Sequence, residues 1–270
     1  MELLEMKYCV AGGSARLMFD VSIDKAVESL DERIRHVRDV GVVDRLRAVY
    51  YKDQGCLDLY YTPLISAYVA RKLALTHSFQ LLRLIASRCV VDMMDEWLME
   101  AWFLSMLNTA GIEFVEGGPD QVRGQWGRSD VKFFDPVKPS IELRLDRPTW
   151  ITPVQWSEVG FDAVFVGKAN ALERFVQVTL ATLADHHSFD HRYFVELLDK
   201  LATHDDLKDV QLKMVELSYV VPRCRISVFQ RPVKSTGFKN IVQGRPSPAT
   251  AQAGVLVPAV ISCLKAPRLK

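Results

Sequence analysis

Asp162, Gln177 and Glu100 are the residues of this 270-residue chain whose types and settings suit chemistry. Asp162 sits in Trp156-Ser-Glu-Val-Gly-Phe-Asp-Ala-Val-Phe-Val, and Gln177 in Arg174-Phe-Val-Gln-Val-Thr-Leu-Ala. Both runs are β-branched and aromatic, and the turn residues of Gly167-Lys-Ala-Asn-Ala-Leu-Glu173 separate them. That pattern predicts two antiparallel strands. Side chains alternate faces along a strand, so Asp162 shares a face with Val164 and Val166. On the second strand Phe175, Gln177 and Thr179 share one face, and Val176 and Val178 take the other. A carboxylate and a carboxamide inside apolar strands are costly without partners. Two kinds of partner fit. One is a divalent metal with its waters, since hard cations take oxygen ligands; the other is ordinary hydrogen bonding that makes the pair the cap of a strand end.

Glu100 belongs to a helix expected over 92–108, where Met93, Trp97, Glu100, Leu104 and Leu107 fall on one stripe. A glutamate in an apolar stripe is paired, protonated or turned to a polar site. A salt bridge to a neighbouring arginine satisfies it as well as a functional site does, and Glu96 beside the stripe is an alternative inward carboxylate. Three histidines, His186, His187 and His191, gather at the start of a helix expected over 184–202. A neutral imidazole there suits a general base or a metal ligand. Without a third ligand at zinc spacing, helix capping or solvent exposure suits them better.

The elements that must position these residues read in order. Residues 1–90 are expected to form a small helical bundle. Ser14 is set to cap a helix at Arg16–Phe19, Ser22 opens another running to about Val40, and Thr62-Pro63 opens a third whose apolar residues recur at helical spacing. His36 and His77 are lone histidines of surface or core. From 91 to 270 an α/β (α+β) domain is expected, a mixed sheet flanked by helices. Gly111 to Pro148 is rich in glycine, proline and charge, with short strands at 131–134 and 140–144. After the hairpin and its helix, Leu217 to Phe229 predicts a strand with Pro222 at an edge or bulge, and Val255 to Leu264 is a last apolar segment.

Composition sets bounds. Net charge is +1, yet no acidic residue follows Glu216, while Arg223, Arg225, Arg231, Lys234 and five further cations do. A basic end suits phosphate contacts, and equally a solvated surface. The five cysteines are odd in number and widely spaced, with no C-x-x-C pair. A disulfide framework and a zinc knuckle are therefore not expected, and a reducing compartment fits. Glu2 and Glu5 interrupt any apolar start, so no signal peptide is expected. The uncharged run 247–264 carries two prolines, a glycine and Gln252, which makes it a poor membrane span.

Taken together, these phrases resemble the restriction-endonuclease-like nucleases of the PD-(D/E)xK superfamily. Their wording is similar to the Crinkler and trypanosome retrotransposon-hot-spot proteins, in which a P-loop NTPase module precedes such a nuclease domain. The matching phrases are Ala11-Gly-Gly-Ser-Ala-Arg-Leu-Met-Phe19, Leu64-Ile-Ser-Ala-Tyr-Val-Ala70, Asp95-Glu-Trp-Leu-Met-Glu100, 156–166, Phe175-Val-Gln-Val-Thr179 and His187-Ser-Phe. They span nearly the whole chain.

The resemblance implies a restriction-endonuclease-like sheet after an N-terminal helical remnant of the NTPase module. It implies magnesium or manganese held by Glu100, Asp162 and Gln177, with a backbone carbonyl near Val178, and DNA as the substrate. Gly12-Gly13-Ser14-Ala15-Arg16 resembles the lid entry of the NTPase, with Arg16 toward nucleotide phosphate. The motif lysine is Thr179 here, which leaves its role to Lys168, His187 or His186. Lys168, Arg223, Arg225, Arg231 and Lys234 would contact nucleic acid. Phe161 stands where the motif has proline. No G-x-x-x-x-G-K-[ST] stretch exists, so ATP hydrolysis is not expected. The family's secretion and translocation signals are absent too, which would make the chain a fragment or truncated copy of an effector that is delivered to the host nucleus. Two functions follow from different classes: a metal-dependent DNA endonuclease, or an inactive nuclease fold that binds nucleic acid or host nuclear proteins.

Overall fold

The computed structural model describes residues 2–12, 14–37, 66–77, 79–81, 94–116, 123–154, 161–170, 172–179, 191–210, 214–222, 226–227, 229, 254–255 and 259–263. The chain divides into two compact units, the first within Met1–Ser105 and the second Met106–Arg268. Against the expected border at 90, this boundary falls inside a helix.

In the first unit, α1 (Glu2–Ala11), α2 (Ala15–Phe19), α3 (Ile23–Arg35) and α4 (Ala67–Thr76) pack on one another. Ser14 and Ser22 cap α2 and α3 as expected, their hydroxyls accepting from the amides of Leu17 and Lys25. α3 stops at Arg35, short of Val40. For α4 the expected opening at Thr62-Pro63 is corrected: Ser66 is extended, accepts from the Val69 amide and starts the helix at Ala67. Asp31 joins α3 to α4 by accepting from the Tyr68 hydroxyl at 2.5 Å and from Lys72 at 2.8 Å. The two lone histidines bond helix carbonyls, His36 to Glu32 and His77 to Ile34. α5 (Met94–Thr109) carries Glu100. Every residue from 98 to 105 is buried, Glu100 and Ser105 included, so this part of α5 is enclosed all round rather than along one stripe.

The second unit is a mixed α+β fold. Among the described residues its nine strands form one sheet: β1 (Ile112–Glu116), β2 (Arg123–Trp126), β3 (Asp130–Phe134), β4 (Thr149–Pro153), β5 (Ala163–Gly167), β6 (Leu172–Val178), β7 (Met214–Val220), β8 (Gly254–Val255) and β9 (Ala259–Cys263). The order is β2-β1-β9-β7-β6-β5-β4-β3, with β8 also against β7. β5 runs antiparallel to both β4 and β6, and β6 runs parallel to β7 after a crossover through α6 (His191–Ala202). Parallel neighbours need such a crossover, and a helix with one apolar face supplies it. Leu197, Leu198 and Leu201 of α6 pack on Ile151, Val164, Val166, Phe175, Val215 and Leu217, one face of the sheet. The expected alternation holds for Val164, Val166 and Phe175, and it breaks before β5, where Phe161 joins the same core with its ring 5.3 Å from that of Phe175.

The opposite face carries a ladder in register across four strands: Trp150, Phe165, Arg174 and Glu216. Arg174 forms an ion pair with Glu216. Trp126 from β2, far along the strand order, lies 5.3 Å from the Trp150 ring, and the Arg174 guanidinium sits 4.7 Å over it. The sheet thus curls, bringing its β2 end back over its own middle.

Three expectations for this unit change. Gly111 to Pro148 holds β1 and β2 as well as β3, a glycine-rich hairpin that reads as irregular. Residues 140–144 form no strand, because their backbone is used elsewhere: the Leu143 carbonyl accepts from His204 and the Arg144 carbonyl from Lys132, and the Leu145 amide donates to Asp206. β7 covers Met214–Val220, earlier than Leu217 to Phe229, and ends before Pro222, which cannot donate to a ladder. No described helix is long and apolar enough to cross a membrane.

Gly111 ends α5 with φ +78, and its amide donates to the Met106 carbonyl. A Cβ there would lie 2.5 Å from the Trp126 carbonyl oxygen, which is backbone and cannot swing away. Gly111→Ala is expected to lower stability by about 2 kcal/mol or more, through the left-handed φ and the collision together. Chemical denaturation monitored at the second unit checks it; an unchanged midpoint would refute this packing.

Candidate functional site

The start of β5 and the ends of β6 and β7 lie at one end of the sheet. β5 begins with Ala163 opposite Val176, and Asp162 stands just before that pair, against the end of β6 that carries Gln177. Both are buried, at 4% exposure each. The Asp162 amide donates to the Val176 carbonyl, and the Thr152 hydroxyl donates to the Asp162 carbonyl at 2.8 Å. One carboxylate oxygen of Asp162 accepts from the Val178 amide. The side chain there takes the place of the strand carbonyl that would have met Val178 had β5 begun earlier. Half of the strand-cap expectation is met in this way.

Gln177 is different. Its Oε1 is buried and accepts no hydrogen bond. A buried acceptor without a donor costs about 1–3 kcal/mol unless something else satisfies it. Beside a carboxylate, an oxygen-seeking cation does so, and magnesium or manganese with its own waters fits that donor set. Among the described residues no group of three His, Cys, Asp or Glu side chains is placed to hold a metal. A cation here therefore relies on Asp162, a carboxamide and water.

The remaining predicted residues fall as follows. Thr179 is buried two residues beyond Gln177, and its amide donates to the Val220 carbonyl. Glu100 is buried on α5 in the first unit, whereas Asp162, Gln177 and Thr179 belong to the second. Lys168 is exposed in the 3-10 turn Lys168–Asn170 that joins β5 to β6. It stands six residues from Asp162 along an extended strand, about 20 Å away at 3.3 Å per residue. Lys168 therefore cannot replace the motif lysine at Asp162, which corrects that expectation. His186, His187, Arg223, Arg225, Arg231 and Lys234 lie outside the described residues, as does the side chain of His191. Arg16, expected toward nucleotide phosphate, is exposed on α2.

Two residues that sequence reasoning misses stand on the same face as Gln177. Glu173 reads as part of the loop, but β6 begins at Leu172, so Glu173 faces inward between Val166 and Val215. Its Oε2 has no hydrogen-bond partner, and burial pushes its carboxyl up to about 8. Counting back by two from Phe175 is the signal that would find it. Tyr219 is the register neighbour of Gln177 on β7 and is 2% exposed.

No family model, curated protein or solved structure matches the chain.

Proposed function

We propose that the second unit is a restriction-endonuclease-like domain that binds DNA and hydrolyses phosphodiesters with the help of magnesium or manganese. The observation that carries this is the Asp162–Gln177 pair, in which a carboxylate adjoins a buried acceptor with no donor. Its setting supports the same reading. After α5 and the strands β1–β3, the run β4-β5-β6-α6-β7 supplies the antiparallel strands, crossover helix and parallel strand that such a domain needs, and Gln177 lies at the carboxyl end of β6. Ligands of sheets with parallel strands commonly bind at that end.

A divalent cation, when bound, supplies Lewis acidity and a water of lowered pKa. Asp162 contributes the negative charge and Gln177 a neutral oxygen, so affinity should be lower than for a pair of carboxylates. Thr152 and the Val178 amide hold Asp162 in place. Thr179 offers no charge to a phosphate, and Lys168 is too distant. That lack of a positive charge favours a second reading, DNA binding with weak or absent cleavage.

Asp162→Asn keeps an acceptor for the Val178 amide and removes the charge. Manganese affinity, read by calorimetry or electron paramagnetic resonance, is expected to fall at least about tenfold, with the fold retained. Nicking of supercoiled plasmid under magnesium titration should fall with it. Equal nicking by both proteins would end the catalytic proposal, and equal manganese binding would end the metal site as well. Parental metal binding without nicking would select the second reading.

A further inference from the structure

Gln177 and Tyr219 are register partners on β6 and β7, on the face that α6 covers, and Asp162 reaches the same end of β6 through the Val178 amide. Adjacent strands lie about 4.8 Å apart, which sets the spacing of Gln177 and Tyr219. The Tyr219 ring is fixed, packed 5.7 Å from the Phe229 ring within the core. Its hydroxyl forms no hydrogen bond among the described residues and is not one of the fully enclosed polar atoms that lack a partner, so it is open to a ligand. Next to it, the Gln177 Oε1 is an acceptor without a donor. The two groups are register neighbours, and they do not satisfy each other.

From this geometry we infer that Tyr219 is a substrate-binding residue, whose hydroxyl donates to a non-bridging phosphate oxygen of the DNA backbone. The inference rests on the nuclease reading above. A phosphodiester accompanied by its cation answers the Gln177 acceptor and uses the donor beside it: the cation meets Gln177 and Asp162, and the phosphate oxygen accepts from Tyr219. Burial pushes the phenol up to about 12, so it remains a donor throughout the neutral range. Tyr219 would thereby take over part of the charge stabilisation that Thr179 cannot give. The donor comes from the neighbouring parallel strand instead of the strand that bears Gln177.

Tyr219→Phe removes the hydroxyl and keeps the ring against Phe229. The test uses the full chain and a dye-labelled 20-base-pair duplex, with anisotropy titrations in calcium and in EDTA. The parent should bind more tightly in calcium. The variant should lose about tenfold of that calcium-dependent gain, the usual order for a hydrogen bond to a charged group. Its manganese affinity should stay within about twofold of the parent, and its melting temperature should not fall. A variant that retains the parent's calcium-dependent gain overturns the role of Tyr219 alone and leaves the metal site standing. Loss of manganese affinity or of melting temperature in the variant marks a structural support and also overturns it. If the parent itself shows no calcium-dependent gain, the nuclease reading fails first and Tyr219 falls with it.

Discussion

The Trp126→Ala chain is expected to unfold with a free energy lower by about 3–5 kcal/mol, the usual cost of emptying a buried aromatic site. Trp126 is 8% exposed and touches a ring of the neighbouring β1 and two groups that are distant along the strand order. Phe114 lies 4.9 Å away, Trp150 5.3 Å, and the Arg174 guanidinium 4.7 Å over the ring. Removing the indole therefore opens a cavity at the point where the sheet meets itself. It also takes one of the two rings from Arg174, the other being Phe165 at 5.7 Å. Trp126→Phe should recover most of the loss. Guanidinium denaturation of the three proteins measures this, and a Trp126→Ala midpoint equal to the parent's would mean that β2 does not return over β4–β6.

The second large effect depends on pH. Glu173 has an ordinary carboxyl value of 4.5 when unfolded and about 8 when folded, raised by burial. Between those values the folded chain holds a proton that the unfolded chain has released. Stability is therefore fullest below about pH 4.5 and falls as pH rises toward 8, by up to roughly 1.4 kcal/mol per pH unit. Glu173→Gln does not titrate, so this decline is absent from the variant. The stability of the variant relative to the parent should grow by about 3 kcal/mol from pH 5 to pH 8. Other carboxyl groups titrate in both proteins and cancel in the difference. Denaturant midpoints at pH 5, 6.5 and 8 decide it. A difference that stays constant would place Glu173 in water or beside a cation.

Local pattern makes part of this molecule readable from its residues alone. The hairpin around Asp162 and Gln177 follows from period-two alternation, and α6 from the spacing of Leu197, Leu198 and Leu201. Ser14 and Ser22 announce their helices because a hydroxyl answers an otherwise orphaned amide. What stays hidden is non-local. Nothing in Arg123-Gly-Gln-Trp126 says that the tryptophan will rest on Trp150, since that depends on the curl of the whole sheet. Gly124 shows the same point: a Cβ there would collide with the Phe114 ring, so a glycine that reads as loop is room for an aromatic neighbour. Ile141 reads as a strand residue and is buried as such residues are. The backbone of its segment is held instead by Lys132, His204 and Asp206 from other elements. The candidate pair is legible as two polar residues in apolar strands. That Asp162 uses an oxygen on the Val178 amide, and that the Gln177 Oε1 goes unsatisfied, depends on register and distance.

The length of the β5–β6 hairpin has a further consequence for any duplex that lies along it. Phosphates on one DNA strand recur about every 3.4 Å of helix axis. The 20 Å or so from Asp162 to Lys168 therefore corresponds to about six base pairs. On the proposed nuclease reading, a Lys168 contact would protect DNA that far from a bond at Asp162, and a shorter oligonucleotide would lose the lysine without losing a cation there.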